Sequence, residues 1–135
     1  MANQLSKTKE TANNLGIWMD HASAHLMDFT KKPVVTNVIT SKFTHHGKVV
    51  NSSKTETMTY HTEQHQLSDY YKKLAEIIKN YKDVVLFGPA DAKIELYKIL
   101  RANHHFDKIK IDIKQTDIMT ENQELAFVKE HFTKY

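Results

Sequence analysis

The feature that most constrains the fold of this chain is a run of four apolar residues, Val84–Phe87, that ends abruptly at Gly88 and Pro89. An uninterrupted apolar run of this length predicts a central strand that is buried on both faces. Gly88 permits a tight turn, and Pro89 suits the first turn of a helix because its missing N–H would have no partner there. The apolar spacing over Ala90–Ala102 then predicts a helix that crosses over to the next strand.

Three short β-prone segments precede this strand and helix: Leu15–Asp20, Ala22–Phe29 and Pro33–Thr40. Their tight spacing predicts an antiparallel meander, because only hairpin connections are that short. Farther along, an apolar stripe at helical spacing predicts an amphipathic helix from about Glu63 to Asn80. The polar stretch 41–62 between them is predicted to be a long loop.

The C-terminal part supplies one more strand and one more helix. Ile109, Ile111 and Ile113 alternate with charged residues, which predicts an edge strand with one buried and one solvated face. Thr120 and Gln123 form a capping box, which predicts the start of the last helix.

The resulting element order is β-β-β-α-β-α-β-α. With short connections and right-handed crossovers, this order predicts an α/β domain with a mixed five-stranded sheet covered by helices, the ribonuclease-H-like architecture. We expect a single domain over residues 14–135, preceded by a flexible polar tail at 1–13.

Composition narrows the classes of function. The chain of 135 residues has no cysteine, which excludes disulfides and thiolate zinc sites, and it has no apolar run that could cross a bilayer. We therefore expect a cytoplasmic protein with no membrane partner. The net charge is +3, and Arg101 is the only arginine, so anionic partners are allowed without the guanidinium forks of precise phosphate recognition.

Two enzymatic or metal-binding hypotheses follow from the residues themselves. Nucleases of this architecture hold two metal ions with acidic residues on the first strand, the first helix and the fourth strand. Asp20 and Glu76 fit the first two places. The third place is occupied by Gly88 and Pro89, with only Asp91 nearby, so the predicted metal cage is incomplete.

The second hypothesis concerns histidines in the polar stretch. His45 and His46 are adjacent, and His61 and His65 have the four-residue spacing that places two imidazoles on one helical face. Only Glu63 is an obvious additional ligand, and thiolates are absent, so a solvated histidine-rich loop is the preferred interpretation. No cofactor or metal is predicted.

Three motifs carry a resemblance to a known family: VVLFGPADAKIEL at Val84–Leu96, FDKIKIDI at Phe106–Ile113 and the closing TENQELAFVKEHF. In this order they resemble the central domain of archaeal and eukaryotic peptide-chain release factors and of Pelota. Closer still are short bacterial proteins often labelled translational machinery proteins. Their WIDH motif resembles WMDH at Trp18–His21, and their Gly-Pro followed by Lys-x-Glu-Leu resembles Gly88–Leu96.

This resemblance implies a translation-associated factor that binds the ribosome or ribosomal or transfer RNA, in stress, hibernation or rescue. DNA is not an expected partner. In release factors, a Gly-Gly-Gln loop between the third strand and the first helix triggers peptide release. The corresponding segment here, Ser41–Gln64, has the single glycine Gly47, so peptide release is not expected and the chain is predicted to be non-enzymatic.

The predicted binding residues fall into two groups. The first and fourth strands should be neighbours, so the residues at their ends should cluster at one edge of the sheet, and the polar stretch should add cations and imidazoles. The predicted ribosome-binding or RNA-binding residues are Asp20, His21, Gly88, Pro89 and Lys93 at the edge of the sheet, and Lys42, His45, His46, Lys48 and Lys54 in the polar stretch.

Overall fold

The computed structural model describes residues 13–30, 33–41 and 53–133, with the side chains of the first helix described from His65 onward. The elements follow the predicted order. They are β1 (Asn14–Met19), β2 (Ser23–Asp28), β3 (Val35–Thr40), α1 (Ser53–Ile78), β4 (Asp83–Gly88), α2 (Ala92–Arg101), a short 3-10 turn (His104–Phe106), β5 (Lys110–Gln115) and α3 (Glu121–Thr133).

The five strands form one mixed sheet in the order β3-β2-β1-β4-β5. The first three strands are the predicted antiparallel meander, and β4 and β5 run parallel to β1. Ile17 lies between Leu26 of β2 and Leu86 of β4 in register. The predicted α/β class and ribonuclease-H-like sheet are confirmed.

Helices cover both faces of the sheet. On one face, α1 and α2 pack Tyr70, Leu74 and Leu96 against alternate residues of the central strands. On the other face, α3 packs Val128 against the layer that contains Trp18 and Phe87. The run at 84–87 is fully buried because its alternate side chains enter two different cores.

Helix α3 begins as the capping box predicts. The Thr120 N–H donates to Gln123 Oε1 at 2.9 Å, and the Gln123 N–H donates to Thr120 Oγ1 at 3.2 Å. These reciprocal bonds satisfy donors that a helix start leaves without partners. They fix the position at which the loop after β5 ends and α3 begins.

Helix α1 is longer than predicted. It begins at Ser53 instead of near Glu63, so the C-terminal part of the predicted 41–62 loop is helical. The segment lacks apolar periodicity, but it contains no proline or glycine, and extending an existing helix is much easier than starting one. Residues 42–52 lie outside the described residues.

Most of the predicted N-terminal tail, 1–12, also lies outside the described residues, and the domain boundaries stay a prediction. Asn13 is described, and its carbonyl accepts hydrogen bonds from the N–H groups of Lys82 and Asp83 at 3.0 and 3.2 Å. Among the helices of the described residues, none combines the length and the apolar character needed to cross a membrane.

Candidate functional site at the carboxyl edge of the sheet

The predicted cluster of residues at one edge of the sheet is formed by the parallel pairing of β1 and β4. Trp18 pairs with Phe87, so Asp20 and His21 follow β1 at the same edge at which β4 ends in Gly88. In sheets with parallel strands, the carboxyl ends of the strands are the usual location of binding sites. The structure thus places the predicted edge residues together.

Gly88 is required by the close approach of the two strands. Its φ is +144°, and a Cβ at this position would lie 2.4 Å from the carbonyl oxygen of Met19. Backbone atoms cannot move aside as a flexible side chain can. The strand therefore needs glycine here in order to turn beside β1.

Asp20 holds the hairpin between β1 and β2. Its Oδ1 accepts hydrogen bonds from the N–H groups of Ala22 and Ser23 at 2.8 and 2.9 Å, and its carbonyl accepts one from the Tyr70 hydroxyl at 2.8 Å. Burial, with a smaller contribution from Asp20, raises the pKa of Tyr70, so the hydroxyl stays a donor. Asp20 is a turn former whose carboxylate is already engaged.

His21 belongs to a three-residue network that the sequence analysis did not anticipate. Its Nε2 lies 3.1 Å from Glu95 Oε1, and the Tyr71 hydroxyl donates to the same oxygen at 2.5 Å. Burial and the hydrogen bond to Glu95 raise the pKa of Tyr71. Glu95 lies in the Lys-x-Glu-Leu motif, so the motif marked the residue without indicating its partners. The network links β1, α1 and α2 at the surface.

Lys93, which is predicted to bind the ribosome or RNA, is buried instead of lying on the surface. Its side chain is 1% exposed, and Nζ donates to the carbonyl of Ala90 at 2.6 Å and to Gln115 Oε1 at 2.8 Å. Burial lowers its pKa. Gln115 in turn donates to the carbonyl of Pro89 at 3.1 Å. The hydrogen bonds of Lys93 therefore connect the turn after β4 to the last residue of β5.

The remaining predicted binding residues cannot be placed in the site. Lys42, His45, His46 and Lys48 lie outside the described residues, and Lys54 lies in α1 at a position where the side chain is not described. For these residues the binding role stays a prediction.

The acidic residues of the nuclease hypothesis are not assembled. Asp20 is engaged in the hairpin, and Glu76 is exposed and pairs with Lys79 at 2.9 Å. Within the described part of the chain, one group of three potential metal ligands lies close together, and it includes neither of them nor Asp91. A two-metal cage of the kind predicted is therefore not formed by these three residues.

Of the four histidines in the metal-binding hypothesis, the structure describes the side chain of His65. His65 is exposed, and its Nε2 lies 3.9 Å from Asp69 Oδ2. The side chain of His61 lies outside the described residues, as do His45 and His46. The hypothesis of a four-histidine site stays a prediction.

A groove of about 750 Å³ lies between α1 and α2, and the sequence analysis did not identify it. Its polar lining includes Lys72, Lys79, Asn103 and His105, and Glu76 is the acidic residue among the described residues that line it. Such a groove depends on how two helices pack, which no local pattern specifies. Its donors can contact anions.

Two solved structures of archaeal Pelota share the fold described above. Pelota of Archaeoglobus fulgidus superposes with a TM-score of 0.57 and 7% identity, over 96% of this chain and 34% of that chain. Pelota of Thermoplasma acidophilum gives a TM-score of 0.54 and 14% identity, over 95% of this chain and 36% of that chain. The predicted Pelota-like fold is confirmed.

The similarity is one of fold, because identity is low and this chain spans about a third of the length of each Pelota chain. Comparison with protein-family models finds no match, and a sequence comparison with curated proteins finds none. The predicted closeness to short bacterial translational machinery proteins stays a prediction.

Proposed function

We propose that this protein is a translation-associated factor that binds the ribosome or structured RNA and does not catalyse a reaction. The observation that carries the proposal is the Pelota-like fold over at least 95% of the chain. Stress, hibernation or rescue of translation is the proposed setting.

Peptide release is excluded from the proposal by the sequence. The chain has three glycines, Gly16, Gly47 and Gly88, and no two are adjacent, so it contains no Gly-Gly-Gln motif. A different surface, next to the end of β1, carries the hydrogen-bonded network of His21, Tyr71 and Glu95. These groups can donate and accept hydrogen bonds, which suits recognition of a polar partner.

The proposed contact surface includes the groove between α1 and α2. Lys72 and Lys79 are exposed there, and His105 and Asn103 supply further donors. The ion pair between Lys79 and Glu76 is exposed, so it contributes little energy and can be exchanged for a phosphate contact. Lysines act as point charges toward phosphate, which gives affinity without base recognition.

Sedimentation with ribosomes tests the proposal. The full chain is centrifuged through sucrose gradients with ribosomes from growing and starved cells, at about 50 mM and about 200 mM salt, a range over which phosphate contacts weaken strongly. We expect co-sedimentation at the lower salt and release at the higher salt. Absence of the protein from ribosomal fractions at both salt concentrations would refute the proposal.

Charge reversal separates the groove from general attraction. The variant Lys72→Glu, Lys79→Glu is compared with the control Lys114→Glu, Lys129→Glu, which changes the charge equally on the face covered by α3. If the two groove lysines contact phosphates, their reversal should make the negative slope of log affinity against log salt shallower by about 1.5. Equal losses in the two variants would show that the groove is not the contact surface.

A further inference from the structure

A compact group of three potential metal ligands lies at the edge of the sheet opposite the site described above. Asp83, Asp112 and His131 each place one ligand atom within 4.8 Å of the other two. His131 Nε2 lies 3.3 Å from Asp112 Oδ2. The group belongs to neither the histidine-rich stretch nor the proposed RNA-binding groove.

Strand register explains why the two carboxylates converge. Asp83 pairs with Lys110, and Asp112 pairs with Val85, so the two aspartates are two positions apart on neighbouring strands. Because alternate residues share a face, both carboxylates point toward the face that α3 covers. They form the floor of the group.

Helix α3 supplies the imidazole. Val128 is fully buried against the sheet, and His131 follows three residues later, on the same side of the helix. The His131 side chain is only 8% exposed. The imidazole is therefore held over the two carboxylates by the packing of the last helix.

Burial leaves one oxygen of this group without a hydrogen bond. Asp83 Oδ1 is buried and accepts none from the residues that the structure describes. A buried carboxylate oxygen is costly unless a hydrogen bond or a cation satisfies it, and a metal ion at this position would do so.

We propose that Asp83, Asp112 and His131 bind a divalent transition-metal ion, with Zn²⁺ as the expected occupant. Two carboxylate oxygens and one imidazole nitrogen match zinc sites that have three protein ligands and an open fourth position. Calcium and magnesium favour oxygen ligands throughout, so the imidazole argues against them. The two negative charges would balance the ion.

The separation of the imidazole nitrogen and one carboxylate oxygen fits such an ion. Ligands bound at about 2.0–2.1 Å around a tetrahedral zinc lie about 3.3 Å apart, which is the separation of His131 Nε2 and Asp112 Oδ2. A neutral imidazole is the form that binds metal. Bound metal would join β4, β5 and the last helix.

Isothermal titration calorimetry with ZnCl₂ and the full chain tests the site. We expect Asp112→Asn and His131→Gln each to weaken zinc binding at least about tenfold. The matched controls are Asp107→Asn and His104→Gln, which alter an exposed pair with the same 3.3 Å nitrogen to oxygen distance, His104 being 96% exposed. These controls should bind zinc as the unmodified chain does.

The chain has nine histidines, so zinc binding by the unmodified chain does not by itself show that the ion occupies this site. Unchanged affinity in Asp112→Asn and His131→Gln would overturn the proposal, as would a lack of binding by the unmodified chain. If a variant fails to fold, ¹⁵N NMR of the unmodified chain decides. Zinc should shift the His131 Nε2 resonance at a stoichiometric amount, and shifts confined to other histidines would overturn the proposal.

Discussion

Replacing Gly16 with alanine should destabilise the protein through a single contact. A Cβ on Gly16 would lie 2.4 and 2.6 Å from the two methyl carbons of Val128 on α3, whereas carbon atoms in contact are normally about 3.5–4.0 Å apart. The shortfall is about 1 Å. Because both methyl groups are too close and valine strongly prefers one rotamer in a helix, rotation of Val128 cannot remove the clash.

The magnitude follows from two opposing effects. Alanine in place of glycine within a strand ordinarily stabilises a protein by about 0.5–1 kcal/mol, because glycine loses more freedom on folding. Overpacking of a core costs about 1–3 kcal/mol. The clash therefore outweighs the entropy gain, and we expect Gly16→Ala to lower the free energy of unfolding by about 1–2 kcal/mol.

Urea unfolding followed by Trp18 fluorescence measures this loss. Trp18 is the only tryptophan and lies in the same buried layer as Val128. Val128→Ala should partly rescue Gly16→Ala, since it removes both clashing methyl groups, giving a coupling energy of about 1 kcal/mol or more. An unchanged or increased stability of Gly16→Ala, or strictly additive effects in the double variant, would refute the reasoning.

Three further substitutions test other parts of the structure by urea unfolding. Gly88→Ala should cost about 3 kcal/mol or more, because it combines a positive φ with a backbone clash against Met19 that no side-chain change relieves; a smaller loss than that of Gly16→Ala would contradict this. His25→Ala should cost about 1–3 kcal/mol, because the carboxylate of Glu124, 3% exposed, loses a partner at 2.9 Å; no loss would contradict the pairing. Burial holds the pKa of Lys93 in the folded protein below its ordinary 10.5. Between this lowered pKa and pH 10.5, the unfolded chain binds more protons than the folded chain, so stability rises with pH. Lys93→Met should abolish this rise between neutral pH and about pH 10.5, and a variant that retains it would show that another group titrates.

The fold was predictable because its signals are local and repeated. The apolar run Val84–Phe87 marks a strand buried on both faces, and the alternation around Ile111 marks an edge strand. The capping box at Thr120 marks the start of a helix. The start of α1 at Ser53 was missed because the added turns bear no apolar stripe.

The chemistry of the site was less predictable, because it depends on which side chains pack together. Lysine is among the residues most often exposed, and nothing near Lys93 in sequence indicates that Gln115, from the end of another strand, completes its hydrogen bonds. In the same way, Asp83, Asp112 and His131 lie on three different elements. Only strand register and helix docking bring them together.

The proposed metal site and the Gly16 contact depend on the same helix, which leads to a further prediction. Val128 and His131 are one turn apart on α3, so an alanine at Gly16 that displaces the helix should also displace the imidazole from the carboxylates. Metal sites tolerate deviations of only about 0.2 Å in ligand distance, far less than the shortfall of about 1 Å at Gly16 estimated from normal carbon contacts. Gly16→Ala should therefore weaken zinc binding in calorimetry although Gly16 is not one of the three proposed ligands, and Val128→Ala in the same chain should partly restore it. Zinc affinity that is unchanged in Gly16→Ala, while stability falls as expected, would show that the clash is absorbed locally and that α3 does not move as a rigid body.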